Sequence, residues 1–340
     1  MPTIPPARRS TPRIGLAPME GVIDATTRMI LSAHGGFDWI VTEFVRVVDQ
    51  RLPPRVFTRI CPELNEGART SSGVPVHLQL LGADPYALGE NARQAVQCGA
   101  RAIDLNFGCP AKLVNRHGGG ASLLRDPRQV FAAVSGVVRA LEGDGIPVSA
   151  KLRLGFDDKR LALECARAAE EAGAHRLTVH ARTKREAYRP PAHWEWVARI
   201  RQAARVPVVV NGDIWTLEDY WKARSLSGCE DAMIGRGALA DPWLAARIRH
   251  WHCSGTRLPA TTWPMRASTL VRFAERLETQ LAGKVVVSLL KQWMAIMRQH
   301  DEESALRFAQ LRRITERQTL IDALRADMDA AAPQELLPIA

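Results

Sequence analysis

Residues 148–155 read VSAKLRLG, residues 177–180 LTVH, residues 206–213 VPVVVNGD and residues 231–237 DAMIGRG. Each is a short apolar run that ends on polar groups or glycine. Between them lie longer segments of helical period, such as Arg160–Ala172 with Leu161, Leu163, Cys165, Ala168 and Ala169. Strand-then-helix alternation of this kind is the signature of a parallel sheet, because each crossover helix covers a strand that is buried on both faces. Further out, the same pattern recurs at Ile14–Ala17, Trp39–Thr42, Val76–Leu80 and Ala102–Asn106. Together with Val148–Arg153, Leu177–His180, Val206–Asn211 and Asp231–Gly235 these predict an α/β fold, a (β/α)8 TIM barrel over residues 13–245. After the first strand the chain reads Ala17-Pro18-Met19-Glu20-Gly21 and not GxGxxG, which disfavours a Rossmann sheet.

Past Pro242 the pattern changes. Residues 246–264, with Gly255, Pro259 and Pro264, read as a linker. Four helices are expected near 265–281, 284–299, 302–313 and 315–328, forming a small helical-bundle domain over 265–330. Residues 1–12 are Pro- and Arg-rich with no apolar stretch, so an extended solvated tail is expected there and a second tail at 331–340.

The 340 residues are 46% hydrophobic and 24% charged, which excludes a disordered chain or a disulfide-stapled miniprotein. No run of apolar residues is long enough to span a bilayer, and no membrane partner is expected. The 6 cysteines form no CxxC pair. No bound metal is expected, and a reducing cytoplasm fits. The net charge of +10 divides as 32 basic against 26 acidic residues before position 246 and 14 against 10 after it. A polyanionic partner would therefore meet both parts of the molecule.

Chemistry in such a barrel gathers at the C-terminal ends of the strands. Here those ends carry Pro18-Met19-Glu20, Thr42-Glu43, Gln79, Asn106, Lys151 with Arg153, His180 with Arg182, Asn211-Gly212-Asp213 and Gly235-Arg236-Gly237. The last two, after strands seven and eight, supply glycines, open N–H groups and a guanidinium where this fold usually binds phosphate. Alternation puts Ser149, Lys151 and Arg153 on one face. A lysine in a barrel mouth needs an anionic partner, and a reduced flavin would suit it. Gln79 offers a donor and an acceptor to a flavin pyrimidine edge. His180 reads equally as a cofactor contact or a satisfied structural residue. Cys109 lies on a Gly/Pro-shaped loop that continues through Lys112, Asn115 and Gly118-Gly119-Gly120, a flexible basic segment. Its thiol would be a nucleophile if acidified and a general acid if it keeps its proton.

The set Ala17-Pro18-Met19-Glu20-Gly21, Thr42-Glu43-Phe44-Val45, Gln79-Leu80-Leu81-Gly82, Asp104-Leu105-Asn106-Phe107-Gly108-Cys109-Pro110, Lys151-Leu152-Arg153-Leu154-Gly155, Val179-His180-Ala181-Arg182-Thr183, Asn211-Gly212-Asp213 and Ile234-Gly235-Arg236-Gly237 resembles the tRNA-dihydrouridine synthases. Phe44-Val45-Arg46-Val47, Arg59-Ile60-Cys61-Pro62-Glu63-Leu64 and Lys291-Gln292-Trp293 are similar to the bacterial C-type branch, which reduces uridine 16 of tRNA. The resemblance implies an FMN enzyme that draws hydride from NADPH and saturates the C5–C6 bond of uracil. It implies Cys109 as the proton donor to C5. Pro18, Met19, Glu20, Gln79, Lys151, His180, Asn211, Gly212, Asp213, Gly235 and Arg236 would hold FMN, with Asn106 beside flavin and base. Two departures stand out: Phe107 where close relatives often carry Cys, and Asp213 where they commonly carry Glu.

The expected partner is tRNA and the expected state a monomer. Lys284, Lys291 and Arg298 recur every seventh residue and form one basic stripe suited to phosphate. By resemblance Arg46, Tyr188 and Trp293 also touch RNA, although the helical pattern places Trp293 in the core. Three alternatives stay open. They are a synthase for another D-loop position, a small-molecule FMN oxidoreductase on the same barrel, and an RNA-binding module that has lost its chemistry.

Overall fold

A computed structural model describes residues 11–116 and 118–329, apart from the side chains of Lys112 and Leu113. The expected tails thus lie outside the described residues except for Thr11 and Pro12, as does the Lys112 side chain. The strands are β1 (Ile14–Leu16), β2 (Trp39–Arg46), β3 (Val76–Leu81), β4 (Ile103–Phe107), β5 (Val148–Arg153), β6 (Arg176–His180), β7 (Val208–Asn211) and β8 (Ala232–Ile234). They form a closed barrel in chain order, shut by the parallel pairing of Gly15 with Met233 and Leu16 with Ile234. The expected (β/α)8 TIM barrel is the observed one. β2 runs past the expected Thr42, because a register irregularity between Val41 and Phe44 lets Phe44–Arg46 pair with Gln79–Leu81. β7 starts at Val208 because Pro207 has no N–H to give; its carbonyl accepts from Leu177 N instead.

The helices that follow the strands are α1 (Ala25–Ala33), α2 (Pro54–Ile60), α3 (Pro85–Gln97), α4 (Lys112–Arg116), α5 (Pro127–Ala140), α6 (Ala162–Glu171), α7 (Trp194–Ala203), α8 (Leu217–Ser227), α9 (Gly237–Ala240) and α10 (Leu244–Ser254). Their starts are written locally. Asp24, Asp84 and Asp126 accept from the first turns of α1, α3 and α5, and Thr216 and Asp219 close a capping box on α8.

The expected linker is a correction. Residues 246–254 are helical, inside α10, because Leu244, Ala245 and Ile248 are buried against the barrel; the connection is 255–262. A Cβ at Gly36 would stand 2.2 Å from the Ala245 carbonyl carbon, so glycine lets α10 lie this close. Four helices follow: α11 (Trp263–Glu278), α12 (Gly283–Met297), α13 (Glu302–Leu311) and α14 (Arg317–Asp329). Arg266 donates to Ala240 O and Thr261 O, Trp293 Nε1 donates to Leu239 O at 2.9 Å, and Thr269 Oγ1 lies 3.2 Å from His34 Nε2. One apolar core runs from the outer layer of the barrel into these helices. No helix among the described residues is long and apolar enough to cross a membrane.

The barrel interior is divided. β1, β2, β7 and β8 fill their side with Ala17, Trp39, Val41, Val209 and Met233, a cluster separate from the main core. β3 to β6 carry polar side chains that bond within the barrel wall, among them Gln79, Asp104, Asn106 and Ser149. Trp39 lies over Gly15, where a Cβ would be 2.4 Å from the indole.

Candidate active site

The C-terminal ends of the strands surround a cavity of about 640 Å³. The strand-end residues expected to bind cofactor all line it: Pro18, Met19 and Glu20 after β1, Gln79, Asn106, Lys151 and His180 on β3 to β6, Asn211-Gly212-Asp213 at β7, and Gly235-Arg236 after β8. Cys109 joins them from the loop after β4 and Tyr188 from the loop after β6. The chain brings these residues together because a parallel barrel sends every strand end to one mouth.

Lys151 Nζ reaches across the interior from β5 and donates to Asn211 Oδ1 on β7 at 3.1 Å. Asn211 Nδ2 donates in turn to Met233 O at 2.9 Å. Burial first, and then the Arg153 guanidinium, hold the Lys151 amine down to about 8. His180 is held neutral: burial, Arg153, Lys151, Arg182 and Arg236 all push its pKa well down. Its Nε2 lies 3.5 Å from Arg182 Nη1, and a Cβ at Gly212 would be 3.0 Å from its ring. His180 is thus both a lining residue and a residue with a structural partner.

At the phosphate-like end, no backbone hydrogen bond among the described residues uses the N–H of Gly212, Gly235 or Arg236. The Arg236 guanidinium lies 4.9 Å from the ring centroids of both Tyr188 and Trp215. Trp215 stacks on His300 of the helical region at 3.9 Å. Asp213 sits at φ +51°, a left-handed conformation that Asp tolerates. One of its carboxylate oxygens takes the Arg182 guanidinium and the Ala192 N–H.

Cys109 is 8% exposed and packs against Leu81 and Val114, with Phe44 and Ala111 beside them. Burial pushes its thiol up, against the Ala111 N–H and the Arg153 and Arg46 cations. At neutral pH the sulfur keeps its proton, the state a general acid needs. Its loop is short and anchored. α4 follows it, and a 3-10 turn covers Gly120–Arg125. Asn115 Nδ2 donates to Cys109 O at 3.0 Å and Arg153 Nε to Gly108 O at 2.7 Å.

Strand ends, thiol and phosphate-like cradle thus share one cavity. The sequence profile of the dihydrouridine synthase (Dus) family matches residues 15–332. The chain belongs to the dihydrouridine synthase family. It is 47% identical over 301 residues to the tRNA-dihydrouridine(16) synthase of Pseudomonas putida, covering 88% of this chain and 93% of that one. To the tRNA-dihydrouridine(16) synthase of Ralstonia nicotianae it is 47% identical over 303 residues, 89% of this chain and 92% of the other. A solved structure, 2-naphthoyl-CoA reductase with 2-naphthoyl-CoA, shares the fold with a TM-score of 0.52 at 14% identity, over 72% of this chain and 50% of that one.

In this dihydrouridine synthase the residues expected to meet RNA fall into three groups. Tyr188 lines the cavity and is 50% exposed. Lys284 and Arg298 are exposed, and Lys291 and Arg46 half-buried, all outside the cavity lining. Trp293 is a correction: it is 4% exposed, its ring meets Phe273 edge-on and its N–H is spent on Leu239 O, so it cannot stack on a base. Glu43, Arg153 and Arg182 were legible in the sequence as strand-end residues, but without a role. Glu43 accepts from the N–H groups of Gly21 and Val22, fixing the loop after β1. Arg153 ties the Cys109 loop to Thr183 O and Ala187 O. Trp215, and Ile296 from α12, carried no sequence signal, since only tertiary packing brings them to the cavity.

Proposed function

We propose that this protein reduces the C5–C6 double bond of a uridine in the D-loop of tRNA to 5,6-dihydrouridine, at position 16, with FMN bound and NADPH as co-substrate. The observation that carries the reading is a thiol kept protonated by burial, lining the same cavity as a buried amine and a phosphate-like cradle.

FMN suits the residues present. Its phosphate would take Arg236 and the open N–H groups of Gly212, Gly235 and Arg236, and Lys151 would face the ring portion that gains negative charge on reduction. When bound and reduced by NADPH, the flavin supplies the hydride for C6. Cys109 delivers a proton to C5, and its raised pKa holds that proton until it is needed. Asn211 holds the Lys151 amine in place. A base stacked in a helix cannot enter a cavity at a barrel mouth, so the substrate is a loop nucleotide turned out of its stack. Membership of this family and the 47% identity to tRNA-dihydrouridine(16) synthases support the choice of tRNA and of position 16.

The test is to map dihydrouridine in tRNA from cells lacking the protein and to assay the purified enzyme with FMN and NADPH. Loss confined to position 16 is expected; loss at 17 or 20 overturns the position. Cys109→Ala should keep FMN and tRNA binding and lose about 10²–10⁴ in turnover, the usual worth of a general acid. Full product formation by that variant removes Cys109 as donor, and efficient reduction of free uridine removes tRNA as the substrate.

A further inference from the structure

We propose that Asp104 is a positioning residue for Cys109, and that its side chain supplies the terminal acceptor of an amide relay through Gln79 and Asn106 that ends on the Cys109 backbone. The proposal deepens the reading of Cys109 as proton donor and takes its purpose from it, but its test does not depend on turnover.

Asp104 lies on β4 and is 1% exposed. It accepts from Gln79 Nε2 and from Ser149 Oγ, each at 2.6 Å. Gln79, fully buried on β3, accepts at its other end: Asn106 Nδ2 donates to Gln79 Oε1 at 2.7 Å. Asn106 Oδ1 then accepts from both Gly108 N and Cys109 N at 2.8 Å.

The direction is fixed by the two ends. A primary amide has a donor side and an acceptor side and can turn by half a rotation, so nothing intrinsic orients Gln79 or Asn106. An ionised carboxylate only accepts and a backbone N–H only donates. With Asp104 at one end and the Gly108 and Cys109 N–H groups at the other, a single head-to-tail arrangement satisfies every group. The opposite turn of either amide puts two donors or two acceptors face to face in a buried site, which costs the full desolvation of the unpaired groups. Burial pushes the Asp104 carboxyl up, and the hydrogen bonds from Ser149 and Gln79, then the Arg176 and Lys151 cations, oppose that shift. An apolar residue at 104 would leave the loop N–H groups to orient Asn106 and Gln79 but would strand the Gln79 Nε2 donor, buried, with no acceptor. Asp104 therefore reaches Cys109 over two side chains without touching it.

This logic makes a reversal possible. In Asn106→Asp the loop N–H groups still find an acceptor, but Gln79 then lies between two carboxylates and its oxygen must face one of them. Adding Asp104→Asn restores every bond with the amide of Gln79 turned round. The carboxylate now at position 106 accepts from Gln79 Nε2, and the amide now at position 104 donates to Gln79 Oε1 while still accepting from Ser149. Asp104→Asn alone is expected to be mild, because the new amide can keep its oxygen on Gln79 and donate to Ser149 Oγ.

The experiment uses the full-length, flavin-free protein and reads two quantities: the thermal unfolding midpoint, and the rate at which iodoacetamide alkylates Cys109, followed by peptide mass spectrometry. Asn106→Asp should lower the midpoint and speed alkylation by about fivefold, the factor that one lost buried hydrogen bond represents. The Asp104→Asn/Asn106→Asp double variant should return both readings to those of Asp104→Asn alone. A double variant that shows the sum of its single effects overturns the relay, since independent sites add. If Asn106→Asp yields no folded protein, Asp104→Ala and Ser149→Ala replace it. The first should speed Cys109 alkylation and the second should not; an Asp104→Ala rate equal to wild type overturns the proposal. Failure of the donor reading is separate: it appears as full turnover by Cys109→Ala and leaves these alkylation rates as they are.

Discussion

Lys151 shows how a single residue serves a site at the expense of the fold. Its amine is held down to about 8 by burial and by Arg153, against about 10.4 for a lysine in an unfolded chain. Between those values the unfolded chain binds more protons than the folded one, so stability rises with pH across that window. Below pH 8 the cost of burying the charge is fully present. Lys151→Met should accordingly raise the thermal midpoint of the flavin-free protein at pH 7, and the gap to wild type should narrow by pH 10. The same change should weaken binding of reduced FMN more than oxidised FMN, because only the reduced ring brings an anion to the amine. A variant less stable than wild type at pH 7 would refute the account of burial. At this scale the sequence was most informative about residue type: Lys151, Cys109 and Arg236 announce themselves because a cation or a thiol at a strand end has few bland uses. Asp104, Gln79 and Asn106 announced less, since their chemistry lies in which atoms face each other.

Among the elements, the turn from β8 into α9 is the tightest point of the site. A Cβ at Gly237 would stand 2.0 Å from Ile214 O, a backbone atom of the loop that carries Trp215. Gly237→Ala must therefore push the two loops apart and shift Arg236 with them. We expect a loss of about 1–3 kcal/mol in unfolding free energy, the usual cost of overpacking, with FMN affinity reduced alongside. Unchanged affinity in a destabilised variant would uncouple the turn from cofactor binding. The strands were legible because each is a buried run closed by turn residues. The helix starts are fixed just as locally, by Asp24, Asp84, Asp126 and Thr216 accepting from N–H groups only a few positions on. α10 was not legible: Gly255, Pro259 and Pro264 spoke for a linker, and the burial of Ile248 against the barrel overrode them.

For the whole molecule, the helical region is joined to the barrel through Trp293, Arg266 and Thr269; Ile296 lines the cavity, and His300 stacks on the lining residue Trp215. This arrangement divides two roles that the sequence overlays on α12. Trp293 belongs to docking. The exposed or half-buried Lys284, Lys291 and Arg298 remain available to phosphate. Replacing all three with Ala should weaken tRNA binding and reduce the salt slope of log affinity by roughly one for each phosphate no longer neutralised. Filter binding across a salt series reads this directly, and an unaltered slope would place the RNA on another face.

The sequence by itself determined the barrel, the end of it that works and the residue types available there to carry charge and protons. Those properties are written in short-range order: alternation, helical period, capping residues and the polar groups that close each strand. Only the tertiary structure decided that Cys109 keeps its proton, that Trp293 gives its N–H to Leu239 O and that Asp104 faces the amide of Gln79. Burial, hydrogen-bond direction and shared cavities are set by groups brought together across the barrel from distant positions, and no local pattern records which partner each will meet.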